Sequence, residues 1–185
     1  MRLFDRVAFP LLAAAALLLT TGCAVQVREV PAAPLAVGAT ATAQMAAPDG
    51  TAMGTVSLTQ GPHGVIIAAD VSGLTPGGHG FHIHETGSCT PDFAAAGDHF
   101  TPKGRGHGYA HEGGFHAGDL PNIYAAADGT VRVDVFTSDV TLTAGLAHSL
   151  FDEDGSAIII HEKPDTYGED AGAGGRVACG VIVRN

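Results

Sequence analysis

Apolar residues fall into two regimes along this chain. Between Val7 and Leu19 almost every position is apolar, whereas from residue 39 onward apolar and polar residues alternate in short runs. In these later runs a helical period is missing, and Gly, Pro and Asp punctuate them. Alternation with a period of two places every second side chain on one face of an extended chain, so the runs predict β-strands. They fall at residues 42–47, 51–59, 65–71, 80–84, 123–127, 130–137, 158–161 and 177–183. Asp128-Gly129 predicts a tight hairpin between two of them. About eight strands with Gly-rich turns imply an all-β antiparallel barrel or sandwich. Two stretches break the even spacing: 86–119, polar and rich in histidine, and 162–175, Gly-rich and acidic. Long loops on a rigid β scaffold are the expected seat of function.

The apolar regime at the start has a different meaning. Arg2 and Arg6 supply a basic region, and Thr20-Thr21-Gly22-Cys23 follows the apolar run. At about 13 residues the run is too short to cross a bilayer core of roughly 30 Å as a helix. Residues 1–22 are therefore expected to be a cleaved export signal. Small residues before Cys23 make the segment resemble a bacterial lipoprotein signal, although Thr20 stands where Leu is commonest. Acylation of Cys23 would tether the exported chain to a membrane, facing the periplasm or the cell exterior, with any unmodified fraction secreted. Residues 23–38, with Pro31, Pro34 and several Ala, read as a flexible linker, and residues 39–185 as one domain. With Cys23 set aside, Cys89 and Cys179 remain as a pair able to form a disulfide outside the cytoplasm. Two unpaired buried thiols are the alternative.

The candidate chemistry is carried by histidine, of which there are 10. His82 and His84 lie two apart in a predicted strand, so both imidazoles share one face while Phe81 and Ile83 face the core. A metal on the outer surface of the sheet would reach both. His99, His107, His116 and Asp119 follow within a Gly-rich stretch, and three imidazoles plus one carboxylate form a closed tetrahedral set suited to zinc. A flexible His-rich loop that binds metal loosely is the bland alternative. His161 ends the run Ile158-Ile159-Ile160 and, with His82, His84 and His99, completes an all-imidazole set that favours copper. Two four-ligand sites drawn from these residues have to share a histidine.

These segments together resemble the copper/zinc superoxide dismutases, as a bacterial exported, lipoprotein-like member. The resemblance spans about residues 39–184. It rests on Gly80-Phe81-His82-Ile83-His84-Glu85, Gly97-Asp98-His99-Phe100-Thr101-Pro102, His116-Ala117-Gly118-Asp119-Leu120, His161-Glu162-Lys163 and Gly174-Gly175-Arg176-Val177-Ala178-Cys179-Gly180. It implies an eight-stranded antiparallel Greek-key β-barrel of the immunoglobulin-like sandwich class, with two long functional loops. It implies copper on His82, His84, His99 and His161, and zinc on His99, His107, His116 and Asp119, with His99 bridging the two. It implies dismutation of superoxide to oxygen and hydrogen peroxide, with His99 passing a proton and Arg176 guiding the anion. Asp165 would hydrogen-bond His82 and His107, and His79 would brace the copper-ligand strand. His63, His111 and His148 have no family role and are expected at the surface. Between Cys89 and His99 the chain is longer than in eukaryotic relatives, as in bacterial members, and the loop after His161 is shorter.

Charge sharpens this picture. A formal net charge of −10 argues against nucleic acid or anionic membrane as a partner, and it sits awkwardly with an anionic substrate. Arg176 answers part of that tension by offering a local cation, and Lys163 is a second, weaker one. The competing class is a non-catalytic copper/zinc-binding exported β-domain, which would not need His82, His84, His161 and Arg176 together. A copper chaperone would present thiolates or a methionine cluster, and the chain has 3 Met without a cluster. Monomer and homodimer are both compatible with the sequence.

Overall fold

Ala41, Ala43 and Met45 are buried along β1 (Thr40–Ala46), while the residues between them point away from the core. The same alternation runs along β2 (Ala52–Gly61), β3 (Gly64–Val71) and β7 (Val131–Thr137). Each strand thus turns one apolar face inward, and the core forms from Val56, Leu58, Val65, Ile67, Phe81, Ile83, Ile158 and Ile160 with their neighbours. The computed structural model describes residues 36–185. The expected leader, Cys23 and most of the linker lie outside the described residues. Ala36 donates its N–H to Thr143 Oγ1 at 2.9 Å and Gly38 to Gln60 O at 2.8 Å, so the chain engages the barrel just before β1.

Seven strands form one antiparallel sheet in the order β5 (Phe81–His84), β8 (Ala157–His161), β9 (Arg176–Arg184), β1, β2, β3, β7. A second pairing joins β4 (Gly77–His79) to β6 (Ile123–Ala125). Only Gly80 separates β4 from β5, and the Asp128-Gly129 turn joins β6 to β7. The short pair therefore links the two ends of the seven-stranded sheet. Counting β4 and β5 as one broken strand turns the nine labelled strands into the expected eight. Crossovers from β3 to β4 and from β7 to β8, with β9 returning beside β1, give Greek-key connectivity. Every predicted strand is present. The break at Gly80 was not legible, because Gly77-Gly78 carries no alternation.

β5 differs from the outer strands in one respect that matters for function. All four of its side chains are buried, at 1% exposure or less. Phe81 and Ile83 enter the core as expected, but His82 and His84 do not lie on an open outer surface. Long loops cover them. On the edge away from β8, Ile83 N–H donates to Gly118 O at 2.9 Å, Phe100 N–H to Ile83 O at 2.9 Å, and Gly118 N–H to Phe100 O at 2.8 Å. Over the other side folds the stretch containing the 3-10 turn Phe93–Ala96, whose Asp92 cap accepts from Ala94 N–H at 2.9 Å. Ala96, Ala157, Ile159 and Cys179 pack there with Cys89 and Phe93, and a Cys89–Cys179 disulfide pins the stretch to β9.

Gly118 is needed for the first of these closures, since a β-carbon on it would overlap the Ile83 carbonyl oxygen and crowd Phe100 N. Gly118→Ala is expected to lower the unfolding free energy by about 1–3 kcal/mol, the range for forced overpacking. Denaturant titration of the metal-free protein checks this, and an unchanged midpoint would mean the loop edge yields without cost.

Candidate metal centre

β5, β8 and the first long loop bring His82, His84, His99 and His161 together, with one ring nitrogen of each within 4.8 Å of the others. The Cα pairing of His82 with Ile159 places the H-x-H pair beside β8, and a register shift between Ile160 and His161 re-aims the last residue of that strand. Ring centroids lie 4.0 Å apart for His82 and His99, 4.8 Å for His84 and His99, and 4.9 Å for His82 and His161. His82 Nδ1, His84 Nε2 and His161 Nε2 are buried without a hydrogen-bond partner. The opposite nitrogens are all engaged. His82 Nε2 donates to Asp165 Oδ2 at 2.7 Å, His84 Nδ1 to Gly97 O at 2.9 Å, and His161 Nδ1 to Gly174 O at 3.3 Å. Each bond fixes a tautomer, so each unpartnered nitrogen carries a lone pair.

A second cluster forms around Asp119, which is 5% exposed. Its Oδ2 accepts from Gly108 N–H at 2.9 Å and from His116 N–H at 3.0 Å. Its Oδ1 faces three imidazoles: His99 Nδ1 at 2.7 Å, His116 Nδ1 at 3.3 Å and His107 Nε2 at 3.6 Å. His99, His116 and Asp119 form one potential metal group, while His107 groups with His82 and Asp165. His107 Nε2 lies 3.0 Å from Asp165 Oδ2 and its Nδ1 2.7 Å from Gly168 O. Asp165 Oδ2 thus lies within hydrogen-bond distance of His82 and His107 at once. His99 alone belongs both to the all-imidazole group and to the Asp119 group.

The electrostatics follow from burial. Burial pushes the His84 imidazole down to about 2 and that of His161 down to about 4, and it also lowers His82 and His116. Removing a cation from water disfavours the charged ring, so these nitrogens stay neutral and available as ligands. For Asp119 burial acts upward, but hydrogen bonds from His99 and from Gly108 N–H prevail and hold it at about 2. Arg176 is half-buried and donates through its two terminal nitrogens to Phe93 O at 2.6 Å and Gly97 O at 2.7 Å. Gly97 O is also the acceptor for His84, so one carbonyl fixes both the guanidinium and a cluster imidazole.

His79 is buried, with Nδ1 2.6 Å from His161 O and Nε2 2.8 Å from Thr75 O, which ties β4 to the end of β8. Lys163 and His63 are exposed, and His111 and His148 are half-buried. Among the described residues none of these joins a metal group. Asn122 and Tyr167, which grip Asp165, were not found by sequence reasoning. Their role depends on contacts between loops and leaves no periodic trace.

The family described as "Copper/zinc superoxide dismutase (SODC)" matches residues 52–182, a span that contains all the histidines of both clusters. The chain belongs to the copper/zinc superoxide dismutase family. It is 46% identical over 147 residues to "Superoxide dismutase [Cu-Zn]" of Caulobacter vibrioides, covering 77% of this chain and 84% of that one. A solved SOD-like protein from Bacillus subtilis is similar with a TM-score of 0.73 and 39% identity, over 77% of this chain and 97% of that one. Cu/Zn superoxide dismutase from Brucella abortus is similar with a TM-score of 0.65 and 33% identity, over 78% and 99%. The enzyme is accordingly an oxidoreductase that dismutates superoxide with copper and zinc as cofactors. Its donor atoms fit both metals: buried imidazole lone pairs on one side, and imidazole with a hydrogen-bonded carboxylate on the other.

The lowered imidazole pKa values set the acid stability of the metal-free dismutase. Below the usual imidazole value of 6.5 the unfolded chain takes up protons that buried His84 and His161 refuse. The unfolded state then binds more protons, and stability falls as pH falls. The melting temperature of chelator-stripped protein should decline from about pH 6.5 to about pH 4, where His161 titrates, and further as Asp119 protonates toward about 2. Calorimetry across this range is the check, and a flat profile between pH 7 and 4 would contradict the burial argument.

Proposed function

We propose that His82, His84, His99 and His161 hold copper, that His99, His107, His116 and Asp119 hold zinc, and that His99 is shared. The observation that carries this reading is the set of three buried, unpartnered ring nitrogens grouped with His99. When bound, copper supplies one-electron redox cycling, while zinc contributes a fixed charge without changing oxidation state. The His107 ring lies 5.0 Å from that of His99 and 5.5 Å from that of His116, with its Nε2 held 3.0 Å from Asp165 Oδ2.

The chain's own residues account for the rest of the reaction, in which two superoxide ions and two protons give oxygen and hydrogen peroxide. His99 is the proton carrier: its nitrogen on the copper side takes up a proton in one half-reaction and delivers it to the reduced dioxygen in the other. Arg176 is the anion guide. A guanidinium has five N–H groups, and the two bonds to carbonyls leave donors and the whole positive charge for a small anion. Asp165 and Gly97 keep His82 and His84 in the tautomers that present lone pairs. Local charge at the mouth of a site steers encounter even on a protein of net charge −10.

The same reading places the enzyme outside the cytoplasm as an antioxidant defence. Residues 1–22 serve as the export signal, residues 23–38 as a linker carrying lipidated Cys23, and residues 39–185 as the catalytic domain, monomeric or homodimeric. The Cys89–Cys179 disulfide supports export, since such bonds persist in oxidising compartments.

Protein loaded with both metals should remove superoxide at a rate that falls with ionic strength. Arg176→Ala should lower that rate about tenfold while copper stays bound, and Arg176→Lys should recover part of it. Stopped-flow assay with metal analysis reads both, and an inactive, fully loaded wild type would favour the non-catalytic copper/zinc-binding β-domain instead. Mass spectrometry of the detergent-extracted mature protein should find acylated Cys23 at its N-terminus; an unmodified soluble chain removes the tether.

A further inference from the structure

Tyr167 is the one non-glycine residue with a left-handed backbone among the described residues, at φ 62°. A β-carbon is crowded in that conformation, so a tyrosine keeps it only where surrounding contacts determine it. Four contacts do so here. Its N–H donates to Asp165 Oδ1 at 2.6 Å, and its carbonyl accepts from Ala110 N–H at 2.9 Å. Its phenol oxygen accepts from Asn122 N–H at 2.7 Å. Its ring lies 5.2 Å from the ring of Tyr109, whose hydroxyl donates to Asp119 O at 2.8 Å.

These contacts join three parts of the centre. Asp165 Oδ2 accepts from His82 and His107, so the N–H of Tyr167 on Oδ1 decides the rotation of that carboxylate. Asn122 holds the backbone of the same residue from both ends, accepting from Asp165 N–H at 2.7 Å and donating to Asp165 O at 2.9 Å. The Tyr109 ring and the Ala110 amide belong to the loop that carries His107, His116 and Asp119. A hydrogen-bonded neighbour that orients a metal ligand typically changes affinity 10–100-fold when removed.

We propose that Tyr167 is a positioning residue for the zinc half of the centre: its ring and hydroxyl lock the second long loop onto the zinc loop, and its N–H aims Asp165 at His82 and His107. This rests on the ligand assignment proposed above. Glycine at this position separates the backbone from the clamp, because it adopts the left-handed conformation without strain and keeps the N–H while losing ring and hydroxyl.

The test uses the full-length metal-loaded protein as wild type, Tyr167→Gly and Tyr167→Phe. Zinc release is timed with a chromophoric chelator, the copper(II) absorption and electron paramagnetic spectra are recorded, and melting of the metal-free forms is measured alongside. Tyr167→Gly should release zinc about tenfold faster or more and shift the copper(II) spectrum, while its metal-free melting temperature falls by only a few degrees. Tyr167→Phe, which loses only the hydroxyl bond, should fall between. Zinc release from Tyr167→Gly at the wild-type rate overturns the proposal, as does faster release matched by an equal loss of metal-free stability, which marks a merely structural role. A wild type that takes up no stoichiometric zinc overturns the ligand assignment and this inference with it, whereas a zinc-binding wild type with an unaffected variant overturns the inference alone.

Discussion

The hydrogen bonds that join Ile83 to Phe100, which donates, and to Gly118, which accepts, hold the functional half of this protein in place. A strand at the end of a sheet exposes a row of unpaired N–H and C=O groups, and β5 meets β8 along one edge only. The first long loop supplies the other edge. In doing so it carries His99 and Asp119 up against His84 and His82, with which they form isolated bridges. The metal centre is therefore built by completing the backbone pairing of a buried strand. Gly118 is required because the approach leaves no room for a side chain.

Burial of the imidazoles has two consequences that act together. It keeps the rings neutral, which metal binding requires, and it forces each remaining ring N–H to find an acceptor. Asp165, Gly97 and Gly174 supply these acceptors, and each bond selects the ring nitrogen left free.

Arg176 shows how an acidic protein keeps a usable cation beside such a centre. Its two observed bonds go to carbonyl oxygens, which orient the guanidinium but do not cancel its charge as a bidentate carboxylate would. One of the two carbonyls, Phe93 O, lies in the stretch between Cys89 and His99. That stretch therefore helps to hold the guanidinium, and the disulfide anchors it to the strand that carries Arg176.

Much of this was determined by local pattern. Alternation in strands such as β1 and β3 is a property of neighbouring residues, so their existence and inward faces were readable, as was the hairpin at Asp128-Gly129. The H-x-H pair, the loop histidines and Asp119 stood out because metal-ligating residue types recur at close spacing, and Arg176 stood out through the family resemblance. The depth of burial of His82 and His84 was not, since it depends on which loops fold over β5. Nor was the grip of Asn122 and Tyr167 on Asp165. These arise where segments far apart in the chain meet, and a contact between loops imposes no period on either one. The sequence by itself determined the strands, the donor set and the family; only the tertiary structure decided which nitrogen of each ring is free, because that choice belongs to the acceptor on its other side.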